Sequence, residues 1–171
     1  MNWNALLNHS LLYGAILSAL STVVILGSLR WNPEIWLNDY PPDVRAKYGP
    51  MSEKSRQQRR AVSLAYFLAL LALLVISILQ VGRAAGGFSF PAVFLHTFIM
   101  LMVFNLVDLL LIDWLALMVL RPSWAVLPGT KGMAGYSDYT LPLRGFLKGT
   151  LGIFIGSLVI AGITMLFTLF F

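Results

Sequence analysis

Apolar positions run along the chain in four long stretches, at about 9–29, 61–81, 92–120 and 145–170, with polar and charged positions gathered between them. A helix needs about 20 apolar residues to cross a hydrocarbon core of about 30 Å, and each stretch reaches that length. The pattern predicts an all-α polytopic membrane protein, a four-transmembrane-helix bundle in which residues 1–171 form a single integral membrane domain. The third stretch is the longest. At about 1.5 Å per residue its roughly 29 residues reach about 43 Å, so it must tilt or its ends must protrude. Met1–Asn8 carries no basic residue, and no small-x-small cleavage site stands out after Ile25. The first stretch is therefore expected to be a retained helix rather than a cleaved leader.

Charge adds an orientation. Arg30, Arg45, Lys47, Lys54, Arg56, Arg59 and Arg60 lie between the first two stretches. Arg121, Lys131, Arg144 and Lys148 lie between the last two or in the first turn of the fourth, and Arg83 alone occupies the middle connection. Lys and Arg concentrate in cytoplasmic loops, so both long connections are expected in the cytoplasm and both termini outside. The net charge of +5 is then accounted for by orientation and by attraction to anionic headgroups, and no nucleic acid is needed to explain it. Arg56, Arg59 and Arg60 share one face of an early helical turn. Together with Lys131, Arg144 and Lys148 they are the candidate contacts for anionic phospholipid.

Small residues recur at helical spacing in three of the spans. Ser10, Gly14, Ser18 and Ser21 form a row in the first, Ala61, Ala65, Ala69 and Ala72 in the second, and Gly145, Gly149, Gly152 and Gly156 in the fourth. In lipid such rows let helix backbones approach closely, so all three are expected to be packing faces.

Both long connections look structured. Asn32-Pro33-Glu34 is a helix start, with Asn as cap, Pro in the first turn and an acid at the positive end of the dipole. Ile35, Trp36 and Leu37 are expected to lie along the headgroups as a short amphipathic turn. A second helical turn is expected at Asp43–Tyr48, stopped by Gly49-Pro50, and Ser55 with Gln58 fits a capping box at the start of the second span. In the second connection Gly129, Gly132 and Gly135 permit tight turns that fold the loop under the bundle. Their spacing is not that of a nucleotide-binding loop.

Polar residues interrupt the third span. Asn105 and Asp108, three apart, share a face near its middle; Asp113 lies about 80° from Asn105 on the other side, and the three cover an arc of about 140°. A charged carboxylate at a helix centre costs about 2.5–3.5 kcal/mol, so these groups should face the bundle interior. Asn105, Asp108 and Asp113 are the candidate intramembrane polar site, Asp108 as a proton or cation site and Asp113 as the partner of a loop Arg or Lys. His96 points away from Asn105 and reads as a histidine at the outer interface.

The remaining chemistry is sparse. With no Cys there is no disulfide, thiolate metal site or Cys nucleophile. His9 and His96 both fall toward the outer face. Asp39 and Asp138 are the candidate cytoplasmic-loop acids, able to converge if the two loops touch and to hold magnesium bridged to a phosphate. No catalytic set, resident metal or cofactor follows from these residues, which weighs against an enzyme.

Asp113-Trp114, Pro128-Gly129-Thr130, Gly132-Met133, Gly135-Tyr136, Asp138-Tyr139 and Gly145-Phe146 resemble a group of small, uncharacterised bacterial four-span membrane proteins. The resemblance covers about the last third of the chain. It implies a multi-pass protein of the bacterial cytoplasmic (inner) membrane and a defined loop, and it carries no activity.

Small size, ordered loops and glycine-rich faces favour a binding or accessory subunit that docks on a membrane protein partner, forms a homo-oligomer, or holds anionic lipid at its loops. The alternatives are a proton- or ion-coupled transport component using Asp108 and an enzyme acting on lipid phosphate at the cytoplasmic face.

Overall fold

The computed structural model describes residues 2–170. Its helices are α1 (Trp3–Trp31), α2 (Pro42–Tyr48), α3 (Glu53–Ala85), α4 (Phe90–Val107) and α5 (Thr140–Phe170), with no strand among the described residues. α4 continues directly into a π-helix, Asp108–Leu120, and 3-10 turns form at Pro33–Asp39, Ser123–Ala125 and Ala134–Ser137. α1, α3, α4 with its π continuation, and α5 are each long and apolar enough to cross a membrane.

α4 is the central helix, flanked by α1 and α5. The small-residue row of α1 faces it: Ser10, Gly14, Ser18 and Ser21 are all buried. A Cβ on Gly14 would lie 2.7 Å from Val103 Cβ, so only a glycine permits this approach. The Ser18 and Ser21 hydroxyls donate back to Gly14 O and Leu17 O, each at 2.7 Å. That bond keeps a hydroxyl satisfied inside an apolar interface. Leu17, Val93, Met100 and Ala161 form the centre of the core, with Tyr13, Leu74 and Ile78 around them.

The other two rows differ from expectation. On α5 only Gly149 is a close approach, 2.9 Å from Asn105 Oδ1 to an added Cβ, while Gly145, Gly152 and Gly156 face open space. On α3 the residues Ala61, Ala65 and Ala72 are exposed. The inward face of α3 is carried instead by Leu74, Ser77, Ile78 and Val81, a row offset from the alanines.

The loops after α1 and after the π-helix lie at the same end of the bundle, hereafter the loop end, and pack on one another. Leu37, Val44, Leu127 and Tyr136 form a small core of their own. Ile35 and Leu37 are 2% and 4% exposed, so the turn at Pro33–Asp39 inserts its apolar side into protein rather than lying along headgroups. Two contacts join the loops: Tyr40 Oη donates to Ala125 O at 2.6 Å, and Gly135 N donates to Asp43 Oδ2 at 3.0 Å. Gly129 and Gly132, at φ of 76° and 85°, make the tight turns on either side of Thr130-Lys131.

Asn32 caps the turn at Pro33–Asp39 through Glu34 N, as its position predicts. The cap of α3 is Ser52, three residues earlier than the Ser55–Gln58 pair suggests. That pair instead holds the first loop, with Asn32 Nδ2 donating to Ser55 Oγ at 2.9 Å and to Gln58 Oε1 at 2.7 Å. Glu34 completes the tie by accepting from Ser52 N and from both serine hydroxyls. Burial alone would raise the Glu34 carboxyl, but the bonds from the Ser52 backbone and the Ser55 and Ser52 hydroxyls outweigh it and hold the group below its ordinary 4.5.

Two outcomes follow from this packing. Gly14→Ala overpacks the α1–α4 contact and should cost about 1–3 kcal/mol, whereas Gly156→Ala, with nothing to meet, should be neutral or raise stability by up to about 1 kcal/mol; thermal unfolding in detergent reads the difference. Because the folded Glu34 carboxyl lies low, its contribution is complete above 4.5 and is lost as pH falls through the folded value. Protease cleavage within residues 32–52 should therefore rise on acidification from about pH 6 to about pH 3, and in Glu34→Gln it should already be raised at neutral pH.

Candidate functional site

The third span is where regular helix geometry ends. From Asp108 the backbone adopts π hydrogen bonding for 13 residues, far beyond the single-turn bulges in which this geometry usually occurs. Arg121 closes the segment in the left-handed region at φ 40°, and its N–H donates to Ala116 O, five residues back, at 3.1 Å. A left-handed Arg is strained by about 1–3 kcal/mol. Its guanidinium is held in compensation, Nη2 donating to Tyr136 O and Ser137 Oγ, both at 2.8 Å.

The changed period alters which side chains share a face. With bonds spanning five residues and about 4.4 residues per turn, i and i+5 lie about 50° apart instead of about 140°, so Asp108 and Asp113 come to one side of the helix. With Met118 they line one cavity of about 890 Å³ at the loop end of the bundle. The expected spread of the two acids over a wide arc rested on the α-helical period and is corrected here. Asp108 is the point at which the 18 residues of α4 give way to the π segment.

The cavity has apolar walls from α1 and the third span, including Ile25, Leu29, Phe104 and Ile112. Its polar lining is mixed. Asp39, Asp108 and Asp113 contribute carboxyls, and Arg121, Arg144 and Lys148 contribute cations. Asp39 pairs with Arg59 at 3.6 Å. Burial pushes its carboxyl up from the ordinary range, with Arg59 and Arg45 pulling the other way. The other acids and cations of the lining form no ion pair with each other: the only ion pairs among the described residues are Arg59–Asp39 and Arg56–Glu53. Asp113 therefore has no Arg or Lys partner, contrary to expectation. Neighbouring Tyr40 is also buried, which raises its hydroxyl and keeps it a neutral donor to Ala125 O.

Asn105 is 9% exposed and lines the deep end of the cavity. Its amide is a clamp on α5, Nδ2 donating to Phe146 O at 3.2 Å and Thr150 Oγ1 at 3.1 Å. Tyr66 of α3 reaches the same region and bonds Ser21 Oγ at 2.7 Å; since that serine hydroxyl donates to Leu17 O, the tyrosine is the donor.

Other candidates are dispersed. Asp138 does not meet Asp39. It is exposed and its Oδ1 accepts from Thr140 N at 3.0 Å and Thr140 Oγ1 at 2.6 Å, a helix cap for α5. The Thr140 hydroxyl and then its N–H hold the carboxyl below its usual range. Arg56 pairs with Glu53 and Arg59 with Asp39, and Arg60 is exposed. Lys131 sits exposed between the loop glycines and away from the cavity lining. Among the described residues no group of His, Cys, Asp and Glu is arranged to hold a metal ion.

At the opposite end His96 is fully buried in the bundle. Its Nδ1 bonds Ser10 Oγ at 2.9 Å, its ring lies 5.2 Å from that of His9, and its Nε2 has no partner. His9 Nε2 donates to Ser77 O at 3.2 Å. The first and third spans run parallel, and Ser10 to His96 and Gly14 to Met100 are both offset by 86 residues.

No protein-family model, curated protein or solved structure matches the chain. Its own geometry is therefore what carries the chemistry of the site.

The loop core that walls one side of the cavity turns on Tyr136, whose hydroxyl accepts from Leu127 N at 3.1 Å and bonds Thr130 Oγ1 at 2.7 Å. Tyr136→Phe leaves a buried N–H unsatisfied at a cost of about 1–3 kcal/mol. Limited proteolysis should then cut residues 126–135 faster, with the four long helices intact by circular dichroism.

Proposed function

We propose that this chain is a multi-pass membrane protein that binds a phospholipid of the cytoplasmic leaflet in the loop-end cavity, serving as a lipid-holding or accessory component. The observation that carries the reading is the pairing of apolar walls with unpaired cations in one cavity. Ile25, Leu29, Phe104 and Ile112 offer acyl-chain contacts, and Arg144 and Lys148 stand with them in no ion pair among the described residues. The volume, about 890 Å³, falls within the range of about 300–1,000 Å³ usual for ligand sites. It accommodates a headgroup and the first part of its chains, the rest extending into the bilayer.

The depth supports the same occupant. Arg144 and Lys148 belong to the first turns of α5, where the basic residues of a span sit among phosphates under the positive-inside orientation. Each Lys or Arg near an anionic surface contributes about 1 kcal/mol. Arg121 adds a guanidinium whose Nε has no hydrogen-bond partner.

The test is native mass spectrometry after mild extraction, counting phospholipid retained per chain. The unaltered protein should keep one phospholipid, and Arg144→Gln with Lys148→Gln should lower its retention by about tenfold or more, as expected for about 2 kcal/mol lost. Lys131→Gln, outside the cavity, should leave retention unchanged. Equal retention in the double variant and the unaltered protein overturns the reading.

A further inference from the structure

We infer that the cavity selects a zwitterionic aminophospholipid, one whose headgroup joins a phosphate to a primary ammonium, of the phosphatidylethanolamine class. The inference rests on the phospholipid reading above and names the headgroup. Its basis is that the cavity is charged with both signs and neither set neutralises the other. Asp108 and Asp113, brought to one side by the π period, face the cavity with no hydrogen-bond or ion-pair partner among the described residues. Arg144 and Lys148 line it with no ion pair among the described residues, Arg144 lying near enough to Asp138 to help lower that carboxyl. Asp39, the third acid, is already engaged by Arg59, so the unmet demand is for two carboxyls on one side and two cations on the other.

A purely anionic headgroup answers only half of this demand. It would satisfy Arg144 and Lys148 while setting its charge near two acids in a low-dielectric wall, where like charges repel most strongly. A cationic amphiphile has the opposite fault. A headgroup carrying phosphate and ammonium a few bonds apart gives each set its partner, the phosphate toward the cations and the ammonium toward Asp108 and Asp113.

The acids also discriminate between ammonium types. A primary ammonium has three N–H donors and forms charge-assisted hydrogen bonds with carboxylates. A quaternary ammonium has no donor and is recognised by the faces of several aromatic rings. The lining holds aromatic rings, among them Trp36, Tyr66 and Phe104, and beside them two carboxyls and Asn105; it is the two carboxyl acceptors that favour the primary ammonium. Asn105 commits both Nδ2 bonds to α5, and its Oδ1 accepts from no described residue. A serine headgroup is disfavoured because its added carboxylate meets the two acids.

The experiment is competition in mixed micelles at equal concentrations of phosphatidylethanolamine, N-acetylated phosphatidylethanolamine, phosphatidylcholine and phosphatidylglycerol, read by native mass spectrometry. The unaltered protein should retain phosphatidylethanolamine at least about tenfold over each of the others, a difference of about 1.4 kcal/mol. Asp108→Asn with Asp113→Asn should bring phosphatidylethanolamine and phosphatidylglycerol to within about twofold while total retention persists. Equal retention of phosphatidylglycerol or phosphatidylcholine by the unaltered protein overturns the inference, as does an undiminished preference in the double Asn variant. Should that variant fail to fold, the N-acetylated lipid makes the same comparison on the unaltered chain. Loss of the headgroup preference with retention still dependent on Arg144 and Lys148 would remove this inference alone; retention independent of those two would remove the phospholipid reading beneath it.

Discussion

The change of hydrogen-bond period at Asp108 decides what this bundle presents at its loop end. Were the third span α-helical throughout, Asp108 and Asp113 would diverge and one of them would turn toward lipid or a neighbouring helix, at a cost of several kcal/mol. Bonds spanning five residues bring both acids to the same cavity and turn Leu110, Leu111 and Leu115 outward, where they are exposed. The π segment also widens the helix next to the loops. It ends in the strained Arg121, whose guanidinium is fastened to Tyr136 and Ser137. Backbone geometry and loop structure are thus linked through one side chain.

Two further constraints keep the cavity open and closed in the right places. The approach of α1 to α4 at Gly14 and of α5 to Asn105 at Gly149 leaves no room between those helices at mid-bundle, so the free volume gathers at the loop end. There the two connections wall one side of it. Tyr40 and Asp43 of the first loop bond the second, while Glu34 and Asn32 bind the first loop to α3. Asn32, Glu34, Tyr40 and Asp43 are consumed in this way, whereas Asp108 and Asp113 line the cavity without a hydrogen-bond or ion-pair partner among the described residues.

Much of the fold was legible in the sequence because the bilayer allows few solutions: four apolar runs of sufficient length are four helices, and the row Ser10, Gly14, Ser18 and Ser21 is a packing face. The turn at Pro33–Asp39 and the helix Pro42–Tyr48 followed from Asn-Pro-Glu and Gly-Pro signals. The site was half legible. Asn105, Asp108 and Asp113 were found by their cost in an apolar span, but their mutual arrangement was not, since nothing in a run of leucines announces a π period. Asp39 was found and given the wrong companion, because Asp138 caps its own helix with Thr140. The alanine and glycine rows of α3 and α5 misled for a general reason. Small residues permit close approach, and the partner helix must still arrive there.

The site as described requires Asp108 and Asp113 to face one water-accessible cavity. The chain contains no Cys, so single cysteines placed by Asp108→Cys, Asp113→Cys, Leu111→Cys and Leu115→Cys can be probed in membranes with a water-soluble thiol reagent. Rapid modification at 108 and 113, with 111 and 115 protected, is the pattern that the π period predicts. Modification at 108 but not at 113 would restore the α-helical arrangement and contradict the shared cavity.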